Sequence, residues 1–283
     1  MDFGAKISNS WKITKASFEV LTKEPMLIVF PLLSMLATGI IVVSFFAYIF
    51  FGVFATQDNP NAFGALYIVG YVFIYFLLYF VTIFSNVVIV GCAKMRLDGK
   101  DPTFGDAWKI GFSRIGPILG WTLVAATVGL LLQMLRERMG FIGKIIVDLL
   151  GIAWAILTYF VIPVIAVEGI GPIAAIGRSK DILRKSWGEA LVTNFGIGLV
   201  FAIAGIIVFV PLFFLFVVAI MSGSLVFIFA VLAIAVLVIV LFSAVYTAIR
   251  GIVMAALYKF AMTGKVGFGF EEDSLKGMFG QKS

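Results

Sequence analysis

The chain has 283 residues, 62% of them apolar and 13% charged, with a formal net charge of +6. Soluble domains run at about 45–50% apolar and about 25% charged, so a water-soluble fold would have too little interior for this much apolar surface, and lipid is the expected solvent. His is absent and Cys92 is the single cysteine, which excludes an imidazole base or ligand, an intramolecular disulfide and a cysteine metal cluster.

Residues 3–24 predict a short amphipathic helix on the membrane surface, since Phe3, Ile7, Trp11, Phe18 and Leu21 recur at roughly helical spacing with lysines between them. The charges here, and the apolar run of about 30 residues that follows, are unlike a signal peptide, so no cleavage is expected. Pro25 ends the helix, and Met26 to Ala55 is the first predicted span, with Pro31 in its first turns. Gln57-Asp58-Asn59-Pro60-Asn61 is a turn signal, and Ala62 to Ala93 is the second span.

A second charged segment follows over 94–114, with a turn at 97–102 and Thr103 as N-cap of a short helix whose first turn holds Asp106. Ile115 to Leu135 is the third span. The segment up to Asp148 allows a short interfacial helix, and the fourth span starts at Ile145 or Leu149 and ends at Val167. Gly169 to Gly188 is the third charged segment. Leu191 to Met221 is the fifth span, with a kink expected at Pro211. After a tight turn at Ser222-Gly223-Ser224, Leu225 to about Tyr258 is the sixth.

The fold class expected is all-α: a polytopic membrane protein of six transmembrane helices in three hairpins, with cytoplasmic amphipathic interfacial helices. Residues 1–264 form one transmembrane domain and 265–283 a mobile cytoplasmic tail. Lys and Arg divide 18 to 3 between alternate sides, with Arg136, Arg138 and Lys144 on the poorer one. Both termini are therefore expected in the cytoplasm, and the cytoplasmic (plasma) membrane is the expected location. Three segments around Trp11-Lys12, Trp108-Lys109 and Gly177-Arg178 each lead into a hairpin. They read either as three parallel repeats or as convergent interfacial anchors.

Four features are candidates for chemistry. Tyr67, Tyr71, Tyr75 and Tyr79 recur every four residues on the second span, drifting by about 40° a step, and Thr82 and Asn86 continue the stripe. Phenol groups in hydrocarbon need partners, so the stripe is one wall of a polar pathway or an interhelical packing seam. Arg250 is an ionisable residue of the sixth span, with Glu168 as its expected partner by depth and Asn194 close enough to join them. On the helix before the fifth span, Arg178, Lys180, Arg184 and Lys185 are candidate headgroup or anion contacts. Its apolar face is expected at Ile173, Ile176, Leu183 and Trp187.

The first, second, third and fifth spans hold no Asp or Glu in their apolar cores, which argues against a proton- or cation-coupled carrier. No catalytic triad, P-loop or metal-ligand spacing occurs, so no catalytic residues, no cofactor, no metal and no enzymatic activity are expected. The basic excess reads as interfacial Lys and Arg, and nucleic acid is not an expected partner.

P-V-I-A-V-E-G-I-G-P-I-A-A-I-G-R-S-K-D-I-L-R-K-S-W-G over 163–188 resembles the signature of a domain-of-unknown-function family of six-span prokaryotic integral membrane proteins. W-K-I-T-K-A-S-F-E-V-L and F-P-L-L-S within 11–34, and A-L-Y-K-F-A-M-T-G over 256–264, resemble its ends. The resemblance implies six helices and no assigned activity. The pattern is more distantly similar to the membrane domain attached to glycerophosphodiester phosphodiesterases. An architectural likeness extends to CysZ-like sulfate permeases. The expectation is a non-enzymatic membrane module or scaffold whose partners are lipids, a second copy or another membrane protein. The alternative is a passive small-solute or anion (sulfate-like) permease lined by Tyr75, Tyr79, Asn86 and Arg250.

Overall fold

A computed structural model describes the backbone of residues 3–55, 60–185, 189–265 and 267, and the side chains of 11–54, 64, 66–184, 197–265 and 267. The 57–59 turn, Trp187 and the acidic tail lie outside these residues. The described elements are all helical: α1 (Phe3–Lys23), α2 (Met26–Ala55), α3 (Pro60–Leu97), α4 (Phe104–Ser113), α5 (Ile115–Arg138), α6 (Phe141–Leu157), α7 (Val161–Glu168), α8 (Pro172–Lys185), α9 (Glu189–Met221) and α10 (Leu225–Thr263). Six segments are long and apolar enough to cross a bilayer, the fourth being α6 with α7. The chain is a multi-pass membrane protein.

Two differences from the expected elements stand out. Residues 141–157 form one helix continuous with the fourth span, so the separate interfacial helix before Asp148 does not occur. The span is instead interrupted at 158–160, between α6 and α7. Pro163 supplies the cause. It has no N–H for the carbonyl of Tyr159, and its ring would clash with that carbonyl in a continuous helix. Once α7 restarts at Val161, Pro163 stands in a first turn, where it is tolerated. By contrast, α9 runs unbroken through Pro211.

The chain forms two compact units. Among the described residues, the first comprises those up to Leu32, Ala93–Pro102 and those from Leu183. In it α9 and α10 form a hairpin, and α1 packs on both. The hairpin turn is the one expected. Gly223 takes φ +65, the Ser222 hydroxyl donates to the Ala219 carbonyl at 2.7 Å, and Ser224 caps α10 at the Phe227 N–H. α1 buries a face largely distinct from the stripe expected to face the membrane. Ile13, Thr14, Ser17, Val20 and Leu21 are buried, whereas Trp11 is 61% exposed and Phe18 42%. Small hydroxyl residues can face other helices here because their polar group is satisfied locally: the Ser17 hydroxyl donates to the Ile13 carbonyl at 2.9 Å.

The second unit comprises Leu33–Cys92 and Thr103–Ile182. The expected cap of α4 is present as a capping box, with the Thr103 hydroxyl accepting from the Asp106 N–H and the Asp106 carboxylate accepting from the Thr103 N–H. α4 packs on α5, and α5 on α6. The Trp121 and Trp154 rings stack at 5.9 Å, and Arg136 pairs with Asp148 at 2.8 Å. The tip of α2 is fixed to α3 by the Tyr48 hydroxyl, which donates to the Leu66 carbonyl at 2.6 Å.

Candidate functional site

The tyrosines of α3 form a ladder. Ring centroids are 6.3 Å apart from Tyr67 to Tyr71, 6.3 Å from Tyr71 to Tyr75 and 4.8 Å from Tyr75 to Tyr79. The four-residue repeat produces this because residues one turn apart overlie each other on a helix. At its inner end the Tyr75 hydroxyl donates to that of Tyr79 at 3.1 Å. Both oxygens lie 2.8 Å from where a Cβ on Gly129 would stand. Gly129 of α5 thus admits the two phenols, a partner that hydropathy alone does not reveal. Thr82 donates to the Leu78 carbonyl of its own helix at 2.8 Å, and Asn86 is half-buried. Ser85 beside it is buried, and its hydroxyl has no hydrogen-bond partner among the described residues.

The second cluster surrounds the α7–α8 elbow. Gly169 caps α7 in the left-handed conformation at φ +68, accepting the chain reversal that a side chain would resist. The Arg114 guanidinium fills the space its missing Cβ leaves and donates to the Val167 carbonyl at 3.4 Å. Glu168, expected to pair with Arg250, pairs with Arg178 of α8 at 3.0 Å. The elbow folds α8 back beside the end of α7 and so brings these two together. Ser179, wholly buried, closes the gap in the fourth span. Its hydroxyl accepts from the Phe160 N–H at 3.1 Å and donates to the Leu157 carbonyl at 2.7 Å. These are two of the backbone groups that the interrupted helix leaves open.

The buried face of α8 is Ala175, Ser179, Ile182 and Leu183, whereas Ile173, expected on the apolar face, is 76% exposed. Lys180 and Arg184 are exposed, and Arg178 is half-buried. The side chains of Lys185 and Asn194 lie outside the described residues. Arg250 belongs to α10 of the first unit and is exposed.

A third cluster, in the first unit, escaped the sequence reading. Asp98, just past the end of α3, receives Lys94 and, at 2.9 Å, Lys259 from the end of α10. Lys259 also donates to the Leu97 carbonyl at 2.6 Å. Two residues away Arg96 pairs with Asp101 and, at 3.1 Å, with Glu24. Gly99 at φ +80 turns the chain between them. Burial alone would push the Asp98 carboxyl up, but the hydrogen bonds and charges of Lys94 and Lys259 outweigh it and hold the group below its ordinary value. Asp98 is therefore a counter-ion rather than a proton donor. The three cations Lys94, Arg96 and Lys259 enter the topology count as markers, and only the pairing across 162 residues reveals a clamp.

Among the described residues, no three His, Cys, Asp or Glu side chains gather as a metal site. A comparison with curated proteins finds no match. A family of unknown function, DUF6159, matches residues 64–268, which include the 163–188 signature but not the N-terminal stretch within 11–34. The match takes in well over half of the chain, and the chain belongs to that family.

Proposed function

We propose that the protein is a non-enzymatic module of the cytoplasmic membrane, with both termini cytoplasmic, which scaffolds itself or a membrane partner through its cytoplasmic helices. The observation that carries this reading is how the polar groups within the helices are used. The Tyr75 and Tyr79 hydroxyls bond each other at 3.1 Å against Gly129, and Thr82 bonds its own helix. Groups spent on packing are poor lining for a solute path. The 18 to 3 division of Lys and Arg supports the orientation. Lipids, a second copy or a membrane protein are the partners expected, and nucleic acid is not. The likeness to membrane domains attached to glycerophosphodiester phosphodiesterases suits a module whose associated chemistry sits elsewhere. Cross-linking in native membranes is the test. A reproducible self-contact or partner is expected, and finding neither overturns the scaffold.

A second reading, a passive small-solute or sulfate-like anion permease, draws on one observation. The tyrosine ladder leads along α3 towards Ser85, whose buried hydroxyl lacks a hydrogen-bond partner among the described residues. A transported group could supply one. Sulfate flux into liposomes carrying the purified protein, lost in Tyr79→Phe, would favour this reading over the first. Liposomes no leakier than protein-free controls would remove it.

A further inference from the structure

In the first unit, α1 does not close completely over the α9–α10 hairpin. It leaves a groove of about 610 Å³. From α1 the groove receives Trp11, Thr14, Lys15 and Phe18, which lie on one helix face at i, i+3, i+4 and i+7. From the hairpin it receives almost only aliphatic and phenyl groups, beginning at Phe201 and Val245 and reaching Val208 and Val238. Lys15 is its single ionisable lining residue, is exposed, and forms no ion pair among the described residues. Trp11 and Phe18, expected on the membrane-facing stripe of α1, are thus among the residues that wall this groove.

The level of the groove in the bilayer follows from helix geometry. The hydrocarbon is about 30 Å thick and a helix rises about 1.5 Å per residue, so about twenty residues cross it. Counted from the polar Ser222–Ser224 turn, the hydrocarbon ends near Phe201 on α9 and Val245 on α10. The groove starts at that boundary and descends about two turns towards Val208 and Val238. Trp and Lys are the residues that hold an interface, with the Lys stem along apolar surface and its ammonium in the headgroup layer. A slot that is apolar on its hairpin side and carries one exposed cation on its α1 side has the polarity of one phospholipid, acyl chain on the hairpin and phosphate on the lysine.

We propose that this groove is a binding site for one anionic phospholipid, with an acyl chain between α9 and α10 beneath α1 and the headgroup phosphate on Lys15. The occupant is a lipid rather than a soluble phosphate, because the hairpin side of the groove, from Val200 to Val245, is wholly apolar and suits an acyl chain, not a free ion. The site requires only that the hairpin cross the membrane and is independent of the scaffold and transport readings.

Native mass spectrometry of the full-length protein titrated with phosphatidylglycerol and phosphatidylcholine in mixed micelles tests it. One phosphatidylglycerol should be retained in preference to phosphatidylcholine by about fivefold, the effect of one Lys at an anionic headgroup. Lys15→Gln, a change at an exposed position that the fold tolerates, should reduce this preference to near unity. Ala204→Phe, which fills the groove, should lose the bound lipid of either kind. Should that variant misfold, quenching of Trp11 by brominated phosphatidylglycerol, read as wild type minus Trp11→Phe, reports the same occupancy. Equal retention of the two lipids by the wild type, or a preference that survives Lys15→Gln, would overturn the proposal. So would glycerol phosphate displacing the lipid, or a dimer whose contact is lost in Ala204→Phe.

Discussion

The Lys259 ammonium lies 2.9 Å from the Asp98 carboxylate and donates to the Leu97 carbonyl at 2.6 Å, so the end of α10 is bound to the end of α3 by one side chain. Lys259 is only 13% exposed. Removing it leaves the Asp98 carboxylate, whose side chain is 34% exposed, with one cation fewer, and opens a backbone carbonyl. Lys259→Met is expected to lower stability by about 1.5–3 kcal/mol, the range for a hydrogen bond to a charged group. Thermal unfolding of the purified protein in detergent measures it. A midpoint unchanged from wild type would mean that the pair is decorative.

The same carboxylate predicts an acid sensitivity. Burial raises the pKa of Asp98, but Lys94 and Lys259 lower it further than burial raises it, so the folded value lies below the ordinary 3.8. The unfolded chain then takes up the proton more readily than the folded one. The resulting stabilisation is complete above the ordinary value and is lost as pH falls through the lowered one. Asp106, lowered by hydrogen bonds from the Thr103 hydroxyl and N–H, acts with the same sign. Unfolding midpoints followed from pH 7 into this acid range should fall less steeply in Asp98→Asn than in wild type, and least in the Asp98→Asn, Asp106→Asn double variant.

Ser179 is the third test. Its hydroxyl serves both the Phe160 N–H and the Leu157 carbonyl at the break in the fourth span. Ser179→Ala strips both partners in a site that water does not reach, and about 1–3 kcal/mol is the expected cost. Ser179→Thr keeps the oxygen and isolates the steric contribution. Chemical denaturation of the two variants side by side should place Ser179→Ala clearly lower if the hydroxyl matters as argued.

Gly169 and Gly171 offer an internal comparison two residues apart. Gly169 has φ +68, and a Cβ there would meet the Arg114 guanidinium at 2.2 Å. The guanidinium is the end of a flexible side chain and can retreat, so the main cost of Gly169→Ala is the left-handed backbone, about 1–2 kcal/mol. Gly171 has open space around it and no such conformation. Gly171→Ala should therefore stay within about 0.5 kcal/mol of wild type. Equal midpoints for the two variants would contradict the elbow geometry.

The spans were legible because hydrocarbon thickness dictates an apolar run of a certain length, and α2 begins and ends where Pro25 and the 57–61 turn signal put it. The capping box at Thr103 was legible because it is local. The inward faces of α1 and α8 were not. Trp11 and Ile173, on the stripes expected to face the membrane, are largely exposed, but Ser17 and Ser179, which hydropathy does not single out, are wholly buried. In lipid the apolar side chain has no reason to avoid its surroundings, and close helix packing selects small residues instead. The Lys259–Asp98 clamp was hidden for another reason: a charge near a helix end satisfies the topology count whatever it touches. The break at 158–160 did have a signal in Pro163, masked by an apolar run that continues across it.

That break has a consequence for assembly order. The fourth span is synthesised with the Leu157 carbonyl and the Phe160 amide open at its break, and the oxygen that answers both emerges with residue 179, after the elbow has been made. Open backbone groups need a partner, so until α8 has folded back these two depend on water or on another polar group. The hydrogen bonding of the fourth span is thus completed from outside the span, by a residue that the ribosome supplies later.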